Sequence, residues 1–464
     1  MITNISSNIN AGGDLATISG VNTNIVGSNI TSLGNAAITT GADLNILSAQ
    51  DTSYKYSASW KKGNSTFGAN SKSSSSTSST TTNVASNINV GGDLNIGSQD
   101  NINIAASNLN SDQNINLIAK NEVNIESGQN TIQSQSASSK KGGTARSSSK
   151  DTDVRINNVA SNLGATDNIN INSGSDTNII ASNLTGNNGN IIVGKYTDQN
   201  ASSPTFGQEI INNDSKLTIK SGEDYHYKLH QETKLEKDKG AMVVGAVAAG
   251  TVAFFTAGAG AVAMAAAGGA MTGSQGQRGR TITNTQETTT QVSSNLNFTG
   301  DLNTQSAGNT EIKASNLTAN NATILTGKFR DQSTNQETII NPDAQLKLNS
   351  AFNTQENNTV VKQVKPNYVG IAVVSAGATY AGAKAEAALE GSSFAKSLGS
   401  LPKNIPFIGG DILPQLGNFA TSQIISSSAG QIDPLFNIRN KSSSSSYKQT
   451  ETNTNLHFNN LITE

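Results

Sequence analysis

The residues of this chain that could do chemistry are few and poorly grouped. Among 464 residues there are three histidines and no cysteine. His226 and His230 are four residues apart, and on one side of a helix they could bind a metal ion together with Glu223. Residues 225–229 alternate in the manner of a β-strand instead, so the sequence predicts no metal site.

The other candidate groups do not form a catalytic arrangement either. Arg278 and Arg280 follow a glycine-rich stretch that could receive phosphate, but no strand, loop and helix surround them. Carboxylates are scattered through turns, and the absence of cysteine excludes thiolate nucleophiles and disulfides. Lys plus Arg (31) nearly balance Asp plus Glu (33), so there is no broad basic field for nucleic acid. We therefore predict no catalysis, no cofactor and no nucleic-acid partner.

The sequence contains a repeat, and the repeated elements are the framework that would position any functional residue. A Ser-Asn pair followed by Ile or Leu returns after 21 residues in four places. The pairs begin at Ser7 and Ser28, Ser86 and Ser107, Ser161 and Ser182, and Ser294 and Ser315. A fixed period of this size is typical of a solenoid, in which one repeat cannot bury its apolar side alone. Plain disorder is the alternative for so polar a chain, but the strict offsets disfavour it.

The second pair indicates how each coil is built. Ile96 and Ile104 recur 21 residues later as Leu117 and Ile125, which predicts that they are vertical neighbours. Apolar residues alternate with Asn within short runs, and Gly, Asn, Asp and Ser separate the runs. Three short strands and three corners per coil predict an all-β fold, a right-handed parallel β-helix. The second coils of the third and fourth pairs lose this frame after Leu184 and Leu317.

Four excursions divide the coils into blocks. We predict β-helix coils over residues 1–52, 83–130, 158–221 and 290–355, and a returning strand over 451–464. The excursions between them cover 53–82, 131–157, 222–289 and 356–450.

The first excursion has the pattern of a protruding hairpin. Tyr54, Tyr56 and Trp60 are spaced at period 2 before a Lys-Lys-Gly turn at 61–63, and a Ser/Thr tract follows. This predicts a β-hairpin with a flexible return. The second excursion has the same parts in weaker form. The three aromatic residues are candidate contacts for a partner, and a solvated hairpin without a partner is the alternative.

The third excursion contains an apolar segment, residues 241–271, in which 31 residues carry no charge. It is longer than the roughly 20 residues that span a bilayer as a helix. Three interpretations remain open: a Gly/Ala-rich helical hairpin folded on itself or on the rod, a segment that enters a membrane once the rod arrives, and a permanent anchor, which the Gly and Ala content disfavours. The fourth excursion contains weaker apolar runs at 368–383, 405–412 and 416–425. Candidate membrane or partner contacts are Val247, Phe254, Phe255, Val262, Tyr368 and Val373.

The coils also resemble a known family. The sequence Ser-Asn-Ile-Asn-x-Gly-Gly-Asp-Leu occurs at Ser7–Leu15 and Ser86–Leu94, and Lys-Lys-Gly hairpins interrupt the coils. In this the chain, from residue 1 to about 350, resembles the haemagglutinin repeats of filamentous haemagglutinin-type exoproteins, including the later repeat region of contact-dependent growth inhibition toxins.

The resemblance implies a secreted or cell-surface protein of a Gram-negative bacterium. Its partners would be an outer-membrane two-partner secretion transporter and the surface or outer membrane of a target cell, and a toxin module and an immunity protein could be encoded nearby. The function implied is adhesion or toxin delivery. A passive adhesin rod and a non-functional fragment of a longer exoprotein gene are the alternatives.

Overall fold

β-Strands supply the regular structure of the chain. The computed structural model describes residues 1–65, 68–142, 145–198, 204, 206–237, 277–331, 334–364 and 438–463. We number its strands β1 to β36 in chain order. Most of them form coils of three parallel strands, and the others form hairpins.

Each position in the coil forms its own parallel stack of strands. The first strands of the coils are β1 (Asn8–Ala11), β4 (Asn29–Ser32), β9 (Asn87–Val90), β12 (Asn108–Ser111), β17 (Asn162–Ala165), β20 (Asn183–Gly186) and β27 (Asn295–Phe298). The second strands are β2 (Leu15–Ser19), β5 (Ala36–Thr40), β10 (Leu94–Ser98), β13 (Ile115–Ala119), β18 (Asn168–Ser173), β21 (Asn188–Val193) and β28 (Asp301–Ser306). The third strands are β3 (Thr23–Val26), β6 (Leu44–Leu47), β11 (Ile102–Ala105), β14 (Val123–Glu126), β19 (Thr177–Ile180), β24 (Leu217–Lys220), β29 (Thr310–Lys313) and β33 (Leu346–Asn349). The strand β30 (Asn316–Thr326) runs through both the first and the second position, and β36 (Asn455–Thr463) pairs along it.

The predicted register of the coils is confirmed. Ile96 pairs with Leu117, and Ile104 pairs with Ile125 in the next coil. All four side chains are buried and belong to one hydrophobic core of stacked aliphatic residues. The parallel β-helix predicted from the 21-residue offset is therefore the fold.

Asparagine ladders run along the outside of this core. Asn29 Nδ2 donates to Asn8 Oδ1 at 2.9 Å, and the same bond links every following first-strand asparagine as far as Asn455. A second ladder joins Asn24, Asn45, Asn103, Asn124 and Asn178 at 2.8–3.0 Å. An amide both donates and accepts, so identical residues stacked one coil apart satisfy one another.

The frame that is lost in two coils shifts by one residue at a corner. First strands keep the 21-residue offset, but Asn168 pairs with Asn188, and Asp301 with Asn321, an offset of 20. One corner is therefore a residue shorter, and the strands continue. Gly189 leaves room for the buried Phe298, since a Cβ at Gly189 would lie 2.5 Å from that ring.

A short hairpin follows the second strand of each of these coils. The hairpins are β22 (Lys195–Thr197) with β23 (Glu209–Ile211), and β31 (Lys328–Arg330) with β32 (Glu337–Ile339). Gly194 and Gly327 precede them with φ of 86° and 72°, a conformation that glycine adopts without steric cost.

The described strands of the four excursions form one further sheet, which we call the hairpin sheet. Its hairpins are β7 (Ala49–Ser65) with β8 (Gly68–Val84), β15 (Gly128–Lys141) with β16 (Ala145–Val159), β25 (Gly222–Lys237) with β26 (Gln277–Val292), and β34 (Ala351–Val364) with β35 (Ile438–Thr452). All eight strands are antiparallel and lie side by side in chain order. Two coils rise by about 9.6 Å and two paired strands occupy about 9.6 Å, so a hairpin on every second coil matches the spacing of a continuous sheet.

The chain leaves the third strand of each coil in one of two ways, which alternate along the rod. Where no hairpin leaves, the chain turns through a single left-handed residue: Gly27, Ala106, Ala181 or Ala314, with φ of 46–53°. Where a hairpin returns, a hydroxyl anchors its base. The Ser86 hydroxyl, for example, lies 2.7 Å from Leu47 O and 3.1 Å from Ile25 O. Ser161, Ser294 and Thr454 repeat this contact.

The predicted flexible return of the first hairpin is wrong. The Ser/Thr tract is strand β8, which pairs with β7 on one side and β15 on the other. Cross-strand hydroxyls also meet, with Ser57 and Ser76 2.8 Å apart. Ladder hydrogen bonds on both edges order a tract whose composition alone is typical of disorder, because the backbone and not the side chains makes the sheet.

Candidate interaction surface on the hairpin sheet

The candidate aromatic contacts lie together at one edge of the hairpin sheet. Tyr54, Tyr56 and Trp60 occupy alternate positions of the edge strand β7, so they share one face, which we call the tyrosine face. Their exposed fractions are 58%, 63% and 66%. The structure therefore presents all three to solvent on an edge strand whose outer side is bridged near its start, where Thr52 pairs with Ile2.

Further aromatic residues that sequence reasoning missed lie on the same face. Continuous registers place Tyr54, Val154, Tyr227 and Tyr447 in one row across the sheet, although they belong to four different hairpins. Val154 is fully buried and Tyr227 nearly so. Burial raises the pKa of the Tyr227 hydroxyl, and the nearby Glu287 carboxylate adds to the shift. The period-2 pattern of each strand was visible in the sequence, but the pairing between hairpins was not.

The opposite face, which we call the serine face, carries an open groove lined mainly by polar residues. The groove crosses seven strands and has a volume of about 1140 Å³. Its lining includes pairs of residues two apart, such as Ser76 with Ser78 and Ser134 with Ser136. Many of the residues that line the groove are Ser and Thr, with small hydroxyl side chains.

Two histidine and aspartate pairs join the second and third hairpins across this groove. His226 Nε2 lies 3.1 Å from Asp153 Oδ1, and His230 Nδ1 lies 2.5 Å from Asp151 Oδ1. Burial alone would raise the pKa of the Asp153 carboxyl, but hydrogen bonds and charge from Arg155 and His226 lower it below the usual value.

The histidines belong to the predicted strand, β25, and not to a helix. Residues four apart in a strand are separated by about 13 Å, too far to bind one metal ion. The described residues contain no group of three or more His, Asp or Glu side chains that could hold one.

The tips of the third and fourth hairpins bring two distant parts of the chain together. Lys237 pairs with Gln277, Gly279 with Val364, and Val364 with Ile438. The four strand ends therefore lie next to one another, over about 14 Å. Segments 238–276 and 365–437 both leave from this end of the sheet.

The apolar candidate contacts fall within these two segments, so their placement lies outside the described residues. The same holds for the predicted helical character of the apolar excursions. What the structure does describe is their flanks, which are β-strands. In the described part of the chain there is no helix with the length and apolar character needed to cross a bilayer.

Fold and surface together define a structural repeat protein: a parallel β-helix whose hairpins build a second sheet. The Hemagglutinin repeat family model matches residues 2–64 and 67–203, and the predicted resemblance is confirmed over that part of the chain. The same coil geometry continues beyond the match, to β33. No curated protein and no solved structure matches the chain.

Proposed function

We propose that this chain is the repeat region of a secreted or cell-surface exoprotein of a Gram-negative bacterium, and that it acts in adhesion or toxin delivery by bringing apolar segments to a target-cell membrane. The observation that carries the proposal is the register at the tip of the hairpin sheet. Segments 238–276 and 365–437 contain the apolar runs and are separated in sequence by the strands β26 to β34, and the register makes the strand ends that flank them neighbours.

A rigid support explains why the segments sit on hairpins. The β-helix is held by continuous ladders, so a hairpin sheet that grows with it has a fixed position along the rod. Two apolar segments presented side by side can engage one patch of membrane together, so the second engagement is intramolecular and gains from effective concentration.

The partners follow from this role. Export of the chain would use an outer-membrane two-partner secretion transporter, and a toxin module and its immunity protein could be encoded nearby. The target is the surface or outer membrane of another cell.

Vesicle flotation tests the proposal. The wild-type chain should float with lipid vesicles, and the variant V247D/F254D/F255D should not, because charged residues enter a bilayer at a high cost. The control A16D/T39D/I118D adds the same charge at exposed positions of the rod and should float like the wild type. Flotation of V247D/F254D/F255D at the wild-type level would discard the membrane role.

A passive adhesin is the second candidate, and the exposure of Tyr54, Tyr56 and Trp60 on one edge strand favours it. Large aromatic side chains are enriched at the centres of protein interfaces. In the variant Y54S/Y56S/W60S, adhesion to cells should fall while vesicle flotation is retained. Unchanged adhesion would remove this candidate.

A further inference from the structure

The serine face carries a row of positive charges close to the hairpin tips. Registers across six consecutive strands place Lys61 opposite Lys72, Lys72 opposite Lys140, Lys140 opposite Ser147, Ser147 opposite Lys234, and Lys234 opposite Arg280. We call Lys61, Lys72, Lys140, Lys234 and Arg280 the basic row. All five residues are exposed. The row is about 24 Å long, because it spans five strand spacings.

Local interactions leave this charge uncompensated. Within the described residues, Lys234 pairs with Glu232 at 2.9 Å, but Lys61, Lys72 and Lys140 have no carboxylate within ion-pair distance. Like charges directly opposite one another on neighbouring strands are destabilising. The row is therefore a local excess of positive charge in a chain whose formal net charge is −2.

The position of the row indicates what it could bind. Lys234 and Arg280 lie on β25 and β26, three residues from the strand ends at which segment 238–276 leaves the sheet. A row of cations beside apolar segments is complementary to a membrane surface, where anionic headgroups lie next to hydrocarbon.

We propose that the basic row binds the phosphate groups of anionic lipids and so orients the hairpin tips against the membrane. This inference rests on the proposed function and adds to it the lipid charge and the residues that recognise it. A row of five exposed cations on one face of a sheet can bind several anionic headgroups of the same membrane surface.

The expected effect follows from the number of charges. A lysine or arginine near an anionic bilayer strengthens binding about fivefold. Removing three should weaken binding roughly 100-fold, and the difference should shrink as salt is raised, because exposed charges are screened.

Co-sedimentation with vesicles tests this inference. The probes are phosphatidylcholine vesicles with and without phosphatidylglycerol. The wild-type chain should prefer the vesicles that contain phosphatidylglycerol, and K61Q/K72Q/K140Q should lose the preference. K61R/K72R/K140R should keep it, and this variant guards against a trivial folding defect. The matched control K120Q/K216Q/K347Q removes three exposed lysines from the rod and should bind like the wild type.

The outcomes separate the inference from the proposed function. Equal preference for phosphatidylglycerol in the wild type and K61Q/K72Q/K140Q overturns the inference and leaves the apolar segments as the membrane contact. If V247D/F254D/F255D binds like the wild type while K61Q/K72Q/K140Q does not, the basic row stands and the apolar contact fails. A wild-type chain that binds DNA through the row but shows no lipid preference would overturn the assignment to lipid.

Discussion

A buried carboxyl group on the rod, Glu126, makes the stability of the coils sensitive to pH. Glu126 ends strand β14 and is paired with Ala105 in the coil below and Ile180 in the coil above. It is 7% exposed, and its Oε1 has no hydrogen-bond partner among the described residues. Burial raises the pKa of its carboxyl group from 4.5 to about 7, with Lys220 opposing the shift and Glu122 adding to it.

The sign of the effect follows from proton linkage. The folded state holds the Glu126 proton more tightly than the unfolded state, so the contribution of this group to stability is fully present below pH 4.5 and is lost as the pH rises through about 7. One pKa unit corresponds to about 1.4 kcal/mol, so a shift of this size removes about 3 kcal/mol of the free energy of unfolding at pH 8.

The substitution Glu126→Gln removes the charge with little change of volume. We expect the variant to be up to about 3 kcal/mol more stable than the wild type at pH 8, and close to it at pH 4.5. Urea unfolding followed by circular dichroism at both pH values measures the difference. Glu311→Gln, on a partly exposed carboxylate of the same sheet, is the matched control for the substitution itself. An unchanged pH dependence in Glu126→Gln would refute the reasoning.

Three further predictions concern the corners, the ladders and the core. Gly27→Ala should lower the urea midpoint, because its Cβ would lie 2.6 Å from Ala49 Cβ at a positive φ. Ala106 has the same left-handed conformation, so Ala106→Gly should raise the free energy of unfolding by about 1 kcal/mol. Asn103→Ala interrupts a buried ladder between Asn45 and Asn124 and should cost about 1–3 kcal/mol in urea unfolding, and Asn110→Ala, in an exposed ladder, should cost less. Phe298→Ala should cost about 3–5 kcal/mol, and a thermal melt in which it matches the wild type would show that the ring does not fill the space above Gly189.

The sequence predicts the coils well because their information is local and repeated. Ile96 and Leu117 share an offset with every other apolar position of their pair, so the register could be read before the structure. The packing of Phe298 against Gly189 could not, because the two residues come from different coils and lie more than 100 residues apart in sequence.

The hairpin sheet was less predictable. Tyr54 and Trp60 indicate a strand by their spacing, but no local pattern shows that β8 pairs with β15 or that Tyr227 shares a row with Tyr54. These pairings depend on the height at which each hairpin leaves the rod. The Ser/Thr tract is an example: its composition favours disorder, but pairing with strands on both sides makes it a β-strand.

The height of the hairpins also explains why the coils come in pairs. A hairpin is two strands wide, so a hairpin on every coil would need twice the available space, and one on every third coil would leave a gap in the sheet. When a tight left-handed corner alternates with a hairpin, the stacked coils and the hairpin sheet are both continuous. The same arithmetic places the ends of β25, β26, β34 and β35 side by side. The neighbouring positions of the strand ends that flank segments 238–276 and 365–437 are therefore a consequence of the paired repeat, and a change in the number of coils between the third and fourth hairpins would separate these ends.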